Sequence, residues 1–231
     1  MEEDELESML FFGMIHPESD PDLLTSKLTK VKDLNCEMVI QSELSRLQLK
    51  YQSDHLIFFE LFILSDNDHF VKEKLGGVSA FTEWNGKMCF IVNPSEDITP
   101  VLRSVIAHEF HHHMRIQRLK MKEENETLLD RLILEGLAEH FVMCELGEEY
   151  LGPYKDALNE TEAKYYWNNR FKQHMFVKGI AAEPFMFGSN EKALPFWGGY
   201  AIGFFLVKQY ITKHPELTIQ QLTGLPSIQY V

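Results

Sequence analysis

His108-Glu109-Phe110-His111-His112, set within residues 100–120, is the stretch on which the reading of this chain turns. It spells H-E-x-x-H in the only register the cluster permits. On a helix, residues i and i+4 lie one turn apart on the same face, so His108 and His112 can grip one metal ion together. Glu109 sits beside them, where its carboxylate can take a proton from a water on that ion. The helix is predicted on separate grounds. Thr99 can cap it, Pro100 suits its first position, and Val101, Leu102, Val105 and Ile106 recur at helical spacing. At about 100° per residue the two histidines fall about 40° apart, in the arc that also holds Val101, Val105, Ile116 and Leu119. Imidazoles in a buried stripe need partners, because burying an unsatisfied polar group costs roughly 1–3 kcal/mol. A metal supplies them.

A catalytic zinc site takes three protein ligands and keeps a position open for water. The next predicted helix offers the third. Thr127 can cap it, Asp130 stands three residues on, as in a capping box, and Gly147 is a natural stop. Leu128, Leu132, Glu135, Glu139, Val142 and Leu146 share one stripe, so two carboxylates stand in the middle of an apolar face. Asp130, His140 and Glu145 point elsewhere. One carboxylate that holds zinc and one that orients a ligand account for both.

At this point the chain resembles the gluzincin metallopeptidases, in which a Glu on a second helix completes a two-His, one-Glu site. It is more closely similar to the YjaZ-like family of predicted zinc-dependent proteases. The similarity rests on the His-Glu-Phe-His-His block, on Leu134-Glu135-Gly136-Leu137-Ala138-Glu139, and on Trp197-Gly198-Gly199-Tyr200-Ala201-Ile202-Gly203, motifs within residues 76–210. The resemblance implies a zincin-like α+β fold, with a small, twisted, mainly antiparallel sheet packed on the active-site helix and a mostly helical C-terminal half. It implies Glu135 as the third ligand and Glu139 as an acid bonded to a ligand imidazole, that of His108. Tyr200 becomes the leading donor to a developing oxyanion, with His174 behind it. The gap of 22 residues between His112 and Glu135 is slightly longer than in the best-known gluzincins. That spacing leaves Glu139 open as the direct ligand. His111 and His113 lie off the ligand stripe and are read as supporting or surface residues.

Composition bounds the rest. A chain of 231 residues with 45% hydrophobic content can bury a substantial core. It is read as a single catalytic domain over 1–231, with residues 1–120 carrying the sheet and the H-E-x-x-H helix and 121–231 the third ligand. A net charge of −13 argues against nucleic acid or anionic lipid as partner. Three widely spaced cysteines, Cys36, Cys89 and Cys144, suit free thiols and a cytoplasmic location. The acidic start is opposite to a signal peptide's, and the apolar runs 9–15 and 195–207 fall short of the roughly 20 residues that span a bilayer.

Along the chain, residues 1–54 read as helical, with helices over 20–34 and 36–51. Residues 55–64 read as a buried strand, and 78–82 and 87–92 as strands around the Asn85-Gly86 turn. Gly76 and Gly77 would let substrate backbone approach the strand that follows them. Residues 147–158 are turn-rich, Asn159 caps a helix to about 173, 179–194 is a loop, and a final helix ends near 213. The expected activity is hydrolysis of peptide bonds in a peptide or protein substrate. A non-catalytic module stabilised by zinc, or a metal hydrolase acting on another bond, would use the same ligands. The first of these would not need Glu109.

Overall fold

Helix α5 (Thr99–Leu119) carries the H-E-x-x-H residues at the predicted place. Thr99 is its first residue rather than its cap, and the Asp97 carboxylate accepts the Thr99 N–H at 3.0 Å. The computed structural model describes residues 3–94 and 97–231. Met1 and Glu2, with which the helical reading of the N-terminal stretch begins, lie outside them. The chain divides into two units, one ending at Phe110 and the other starting at His111, and α5 runs unbroken through the division.

The first unit opens with α1 (Glu3–Phe11), α2 (Pro21–Asp33) and α3 (Cys36–Tyr51). The Asp20 side chain caps α2, with Pro21 at its first position. Cys36, Ile40, Leu44 and Leu47 form the buried side of α3. Glu43, buried on the same helix, is compensated by Arg46 at 2.8 Å and by Arg103 of α5 at 2.9 Å.

Three strands follow: β1 (Phe59–Ile63), β2 (Val78–Thr82) and β3 (Met88–Val92), in the order β1-β3-β2. The Asn-Gly turn forms as expected. Gly86 adopts φ 93° and Asn85 Oδ1 accepts the Lys87 N–H at 2.7 Å. The sheet is mixed rather than mainly antiparallel, because β3 pairs with β2 antiparallel and with β1 parallel. The chain crosses from β1 through α4 (His69–Lys74) to the far edge, and the hairpin then returns β3 to the middle. The fully buried strand is therefore β3, while β1 is a half-buried edge. Residues 13–15 meet the β1 segment through Ile15 N–H to Ile63 O and Ser65 N–H to Gly13 O, both 2.8 Å. Gly76 and Gly77 have φ 65° and 84°, and a Cβ on Gly76 would sit 3.0 Å from Val101 of α5. Those glycines serve the turn and its packing on the helix.

The second unit is built on the crossing of α6 (Leu128–Leu146) with α9 (Gly198–Lys213). Thr127 and Asp130 form the predicted capping box, and Gly147 ends α6 at φ 114°. The two helices approach backbone to backbone. A Cβ on Gly203 would lie 2.0 Å from Leu132 O, and one on Gly136 would lie 2.3 Å from the Gly203 carbonyl. Leu132, Ile133, Ile202 and Leu206 pack around this crossing with Phe171 and Phe185. Asn159 and Glu162 box the start of α7 (Glu160–Tyr166), which widens into a π turn at Trp167–Phe171. The predicted loop over 179–194 contains a short helix, α8 (Glu183–Phe187), and α9 is followed by α10 (Ile219–Thr223). Five-residue helices are too short to leave a readable hydrophobic period. Among the described residues no helix is long and apolar enough to cross a membrane, and all three cysteines are free thiols.

Candidate metal centre

Residues 106–113 of α5 are buried without interruption, so the histidine block is enclosed on every side of its helix and not along one stripe. His108, Glu109 and His112 bring their ligand-type atoms within 4.8 Å of one another. The i, i+4 geometry of a single helix is enough to do this. Glu135 of α6 faces the same block, with Oε2 3.6 Å from His112 Nε2. Two donors each about 2.0–2.2 Å from a tetrahedral zinc ion stand about 3.3–3.6 Å apart. Two imidazoles and a carboxylate are a donor set that suits zinc, and the His112–Glu135 pair has the spacing of two such donors, while the group that clusters within 4.8 Å is His108, Glu109 and His112.

Glu109 is held from the sheet. Thr82, the last residue of β2, donates its hydroxyl to Glu109 Oε2 at 2.7 Å and lies 3.2 Å from the Glu109 carbonyl oxygen.

Glu139 stands one turn beyond Glu135 and is buried. Its carboxylate accepts the Gly152 N–H at 2.7 Å and the Tyr154 hydroxyl at 2.9 Å. These bonds fasten the connection after α6. Tyr154 is half-buried. Desolvation, reinforced by the charges of Glu139 and Glu135, pushes the Tyr154 phenol pKa well above its ordinary value. The Tyr200 ring lies 4.8 Å from that of Tyr154 and 6.0 Å from that of Phe187. Tyr200 is half-buried at the start of α9, so its side chain belongs to this aromatic group.

The other histidines separate clearly. His111 and His113 are buried, which removes the surface alternative and is consistent with the supporting one. His111 Nε2 lies 3.3 Å from Thr223 Oγ1. His140 stacks on Phe204 with its Nε2 3.2 Å from the Phe204 carbonyl, and burial lowers its pKa to about 4. His174 is exposed, its ring 5.0 Å from that of Phe185.

Arg115, one turn below His111 and fully buried, donates to Thr223 O at 2.8 Å and to Ser227 Oγ at 3.1 Å. Ser227 donates in turn to Asp130 at 2.6 Å, and desolvation lowers the guanidinium pKa to about 10. Sequence reasoning missed Thr82 and Tyr154. Thr82 carries no local signal, and Tyr154 has only the Gly152-Pro153 turn before it.

Comparison with known proteins places the chain. The family described as "Predicted Zn-dependent protease (DUF2268)" matches residues 36–230. The chain is 31% identical to "Uncharacterized protein YjfC" of Bacillus subtilis (strain 168) over 143 residues, 58% of this chain and 47% of YjfC. It is 25% identical to "Uncharacterized protein YjaZ" of the same organism over 198 residues, 85% of this chain and 74% of YjaZ. The chain thus spans about half the length of YjfC and about three quarters of YjaZ. No solved structure matches it. With most of its length matched, the chain belongs to this family of predicted zinc-dependent proteases.

Proposed function

We propose that this family member is a zinc-dependent peptidase that hydrolyses peptide bonds, with His108, His112 and Glu135 as the metal ligands and Glu109 as the general base. The observation that carries the reading is the 3.6 Å approach of Glu135 to His112 on a helix that already clusters His108, Glu109 and His112. Zinc, when bound, acts as a Lewis acid and brings the pKa of water to about 7. Glu109 would take a proton from the attacking water and pass it to the leaving amine. Tyr200 donates a hydrogen bond to the oxyanion that develops on the scissile carbonyl. Glu139 keeps the connection after α6 in place through Gly152 and Tyr154. The three free thiols suit the reducing cytoplasm, and the proposed substrate is a peptide or protein.

The test pairs metal analysis of the purified protein with digestion of a peptide library. One zinc per chain is expected, lost when His108 and His112 are both changed to Ala. Glu109→Gln should retain zinc and fold while losing about 10²–10⁴-fold in rate. Tyr200→Phe should lower kcat and kcat/KM together, by about 10²–10³-fold. Full zinc retention in the double His variant removes the ligand assignment. Near-parental activity of Glu109→Gln removes the mechanism. A zinc-loaded protein that cleaves no peptide leaves a metal site with a different chemistry or a binding role.

A further inference from the structure

The strand hydroxyl on Glu109 has a consequence for which atom does the chemistry. A glutamate side chain has three rotatable bonds, and freezing such a chain costs up to about 2 kcal/mol. A general base works within a few tenths of an ångström of its proton, so something must hold the carboxylate still. Thr82 meets that requirement from outside the helix. Its backbone is fixed by pairing with Met88 of β3, and its branched Cβ stiffens χ1. Its hydroxyl has one proton and two acceptors within reach, Glu109 Oε2 at 2.7 Å and the Glu109 carbonyl at 3.2 Å. The shorter contact, to an ionised oxygen, is the stronger bond.

We infer that Thr82 is a positioning residue for the base: it occupies Oε2 of Glu109, which leaves Oε1 as the oxygen that accepts and returns the proton. The inference rests on the peptidase reading above. It also ties the base to β2, an edge strand of the sheet, so that the register of β2 sets the aim of the carboxylate.

The test compares Thr82→Val, which keeps the shape without the hydroxyl, with Thr82→Ser, which keeps the hydroxyl. Both are assayed on a peptide the parent cleaves. Cobalt-substituted samples give a readout independent of turnover. Thr82→Val should lose about 10–100-fold in kcat, the scale of partners that orient active-site groups, with KM within about twofold. Its zinc content should match the parent's, its melting temperature should fall by no more than a few degrees, and its cobalt d–d bands should shift. Thr82→Ser should return kcat to within a few-fold and restore the bands.

Parental kcat and unchanged cobalt bands in Thr82→Val would overturn the inference while leaving the peptidase reading standing, since the parent still cleaves. So would equal losses in Val and Ser accompanied by a lowered melting temperature, the mark of a packing role. If the zinc-loaded parent cleaves no peptide, the peptidase reading fails first and this inference falls with it.

Discussion

Two buried polar clusters sit within a few residues of each other on α5, and they are built differently. Around Arg115 the links are direct hydrogen bonds: 2.8 Å to Thr223 O, 3.1 Å to Ser227 Oγ, and 2.6 Å from Ser227 to Asp130. Around His112 the facing carboxylate of Glu135 stops at 3.6 Å. Hydrogen bonds between such groups run at about 2.7–3.2 Å, so the first cluster is joined by direct bonds, with Arg115 Nε left without a partner among the described residues, and the His112–Glu135 pair has the spacing of donors that share an ion. Buried polar side chains thus serve cohesion at one place, and at the other they have the spacing that the proposed ligation requires. The charges follow suit. Burial lowers the Arg115 guanidinium pKa, and the nearby Tyr230 and Asp130 oppose that shift.

The sharpest way to break this contrast is to truncate one residue of each cluster. His112→Ala should weaken zinc binding by roughly 10³-fold or more, given that about 10–16 kcal/mol of binding is shared among a handful of ligands. The melting temperature of its metal-free form should stay near the parent's. Arg115→Ala should do the reverse. Losing a fully buried, bonded side chain costs about 3–5 kcal/mol, a fall of roughly 10 °C for a chain of this size, while the folded fraction keeps its zinc. Metal titration and thermal melts on both variants decide it. If the Arg115 variant stayed folded and released zinc, the two clusters would be one.

A second substitution should blend the two phenotypes. Gly203 meets α6 where a Cβ would stand 2.0 Å from Leu132 O, so Gly203→Ala forces the helices apart. Overpacking of this kind costs about 3 kcal/mol at the upper end of its range. Gly136 follows Glu135 directly, so the shift should also move the carboxylate against His112. Lower stability together with weaker zinc binding is expected. Lower stability with parental zinc affinity would show that the ligand does not depend on the crossing.

Much of this was legible in the sequence wherever the cause is local. The α5 block, the capping box of α6, its Gly147 stop and the Asn85-Gly86 hairpin each follow from residues within a few positions of one another. His108, Glu109 and His112 meet because one helix makes them meet. Glu135 needed more, since a carboxylate on an apolar stripe says that it has a partner and not which one. The order of the sheet was hidden because nothing in β1 records that α4 carries the chain to the far edge. Thr82 was hidden for the same reason. Its partner is 27 residues away, and only the folded sheet brings the hydroxyl to Glu109. Gly203 was hidden likewise, since Leu132 and Gly136, whose backbones it touches, lie on another helix.

Glu139 is the residue on which the contrast can be made finest, because its position suggests ligation and its bonds suggest cohesion. It lies one turn from Glu135, yet its carboxylate accepts from Gly152 and Tyr154 at 2.7 and 2.9 Å, lengths that match the Arg115 cluster. Tyr154→Phe removes one of those donors and leaves the ring against Tyr200. A hydrogen bond to a charged group contributes about 1.5–3 kcal/mol, and the Gly152 N–H remains to soften its loss. A destabilisation of about 1–2 kcal/mol is therefore expected in denaturant melts, with zinc affinity within about threefold of the parent. That outcome would class Glu139 with the residues that hold the connection after α6. A 10–100-fold loss of zinc affinity at unchanged stability is the signature of an acid that orients a metal ligand, and it would move Glu139 to the other side of the comparison.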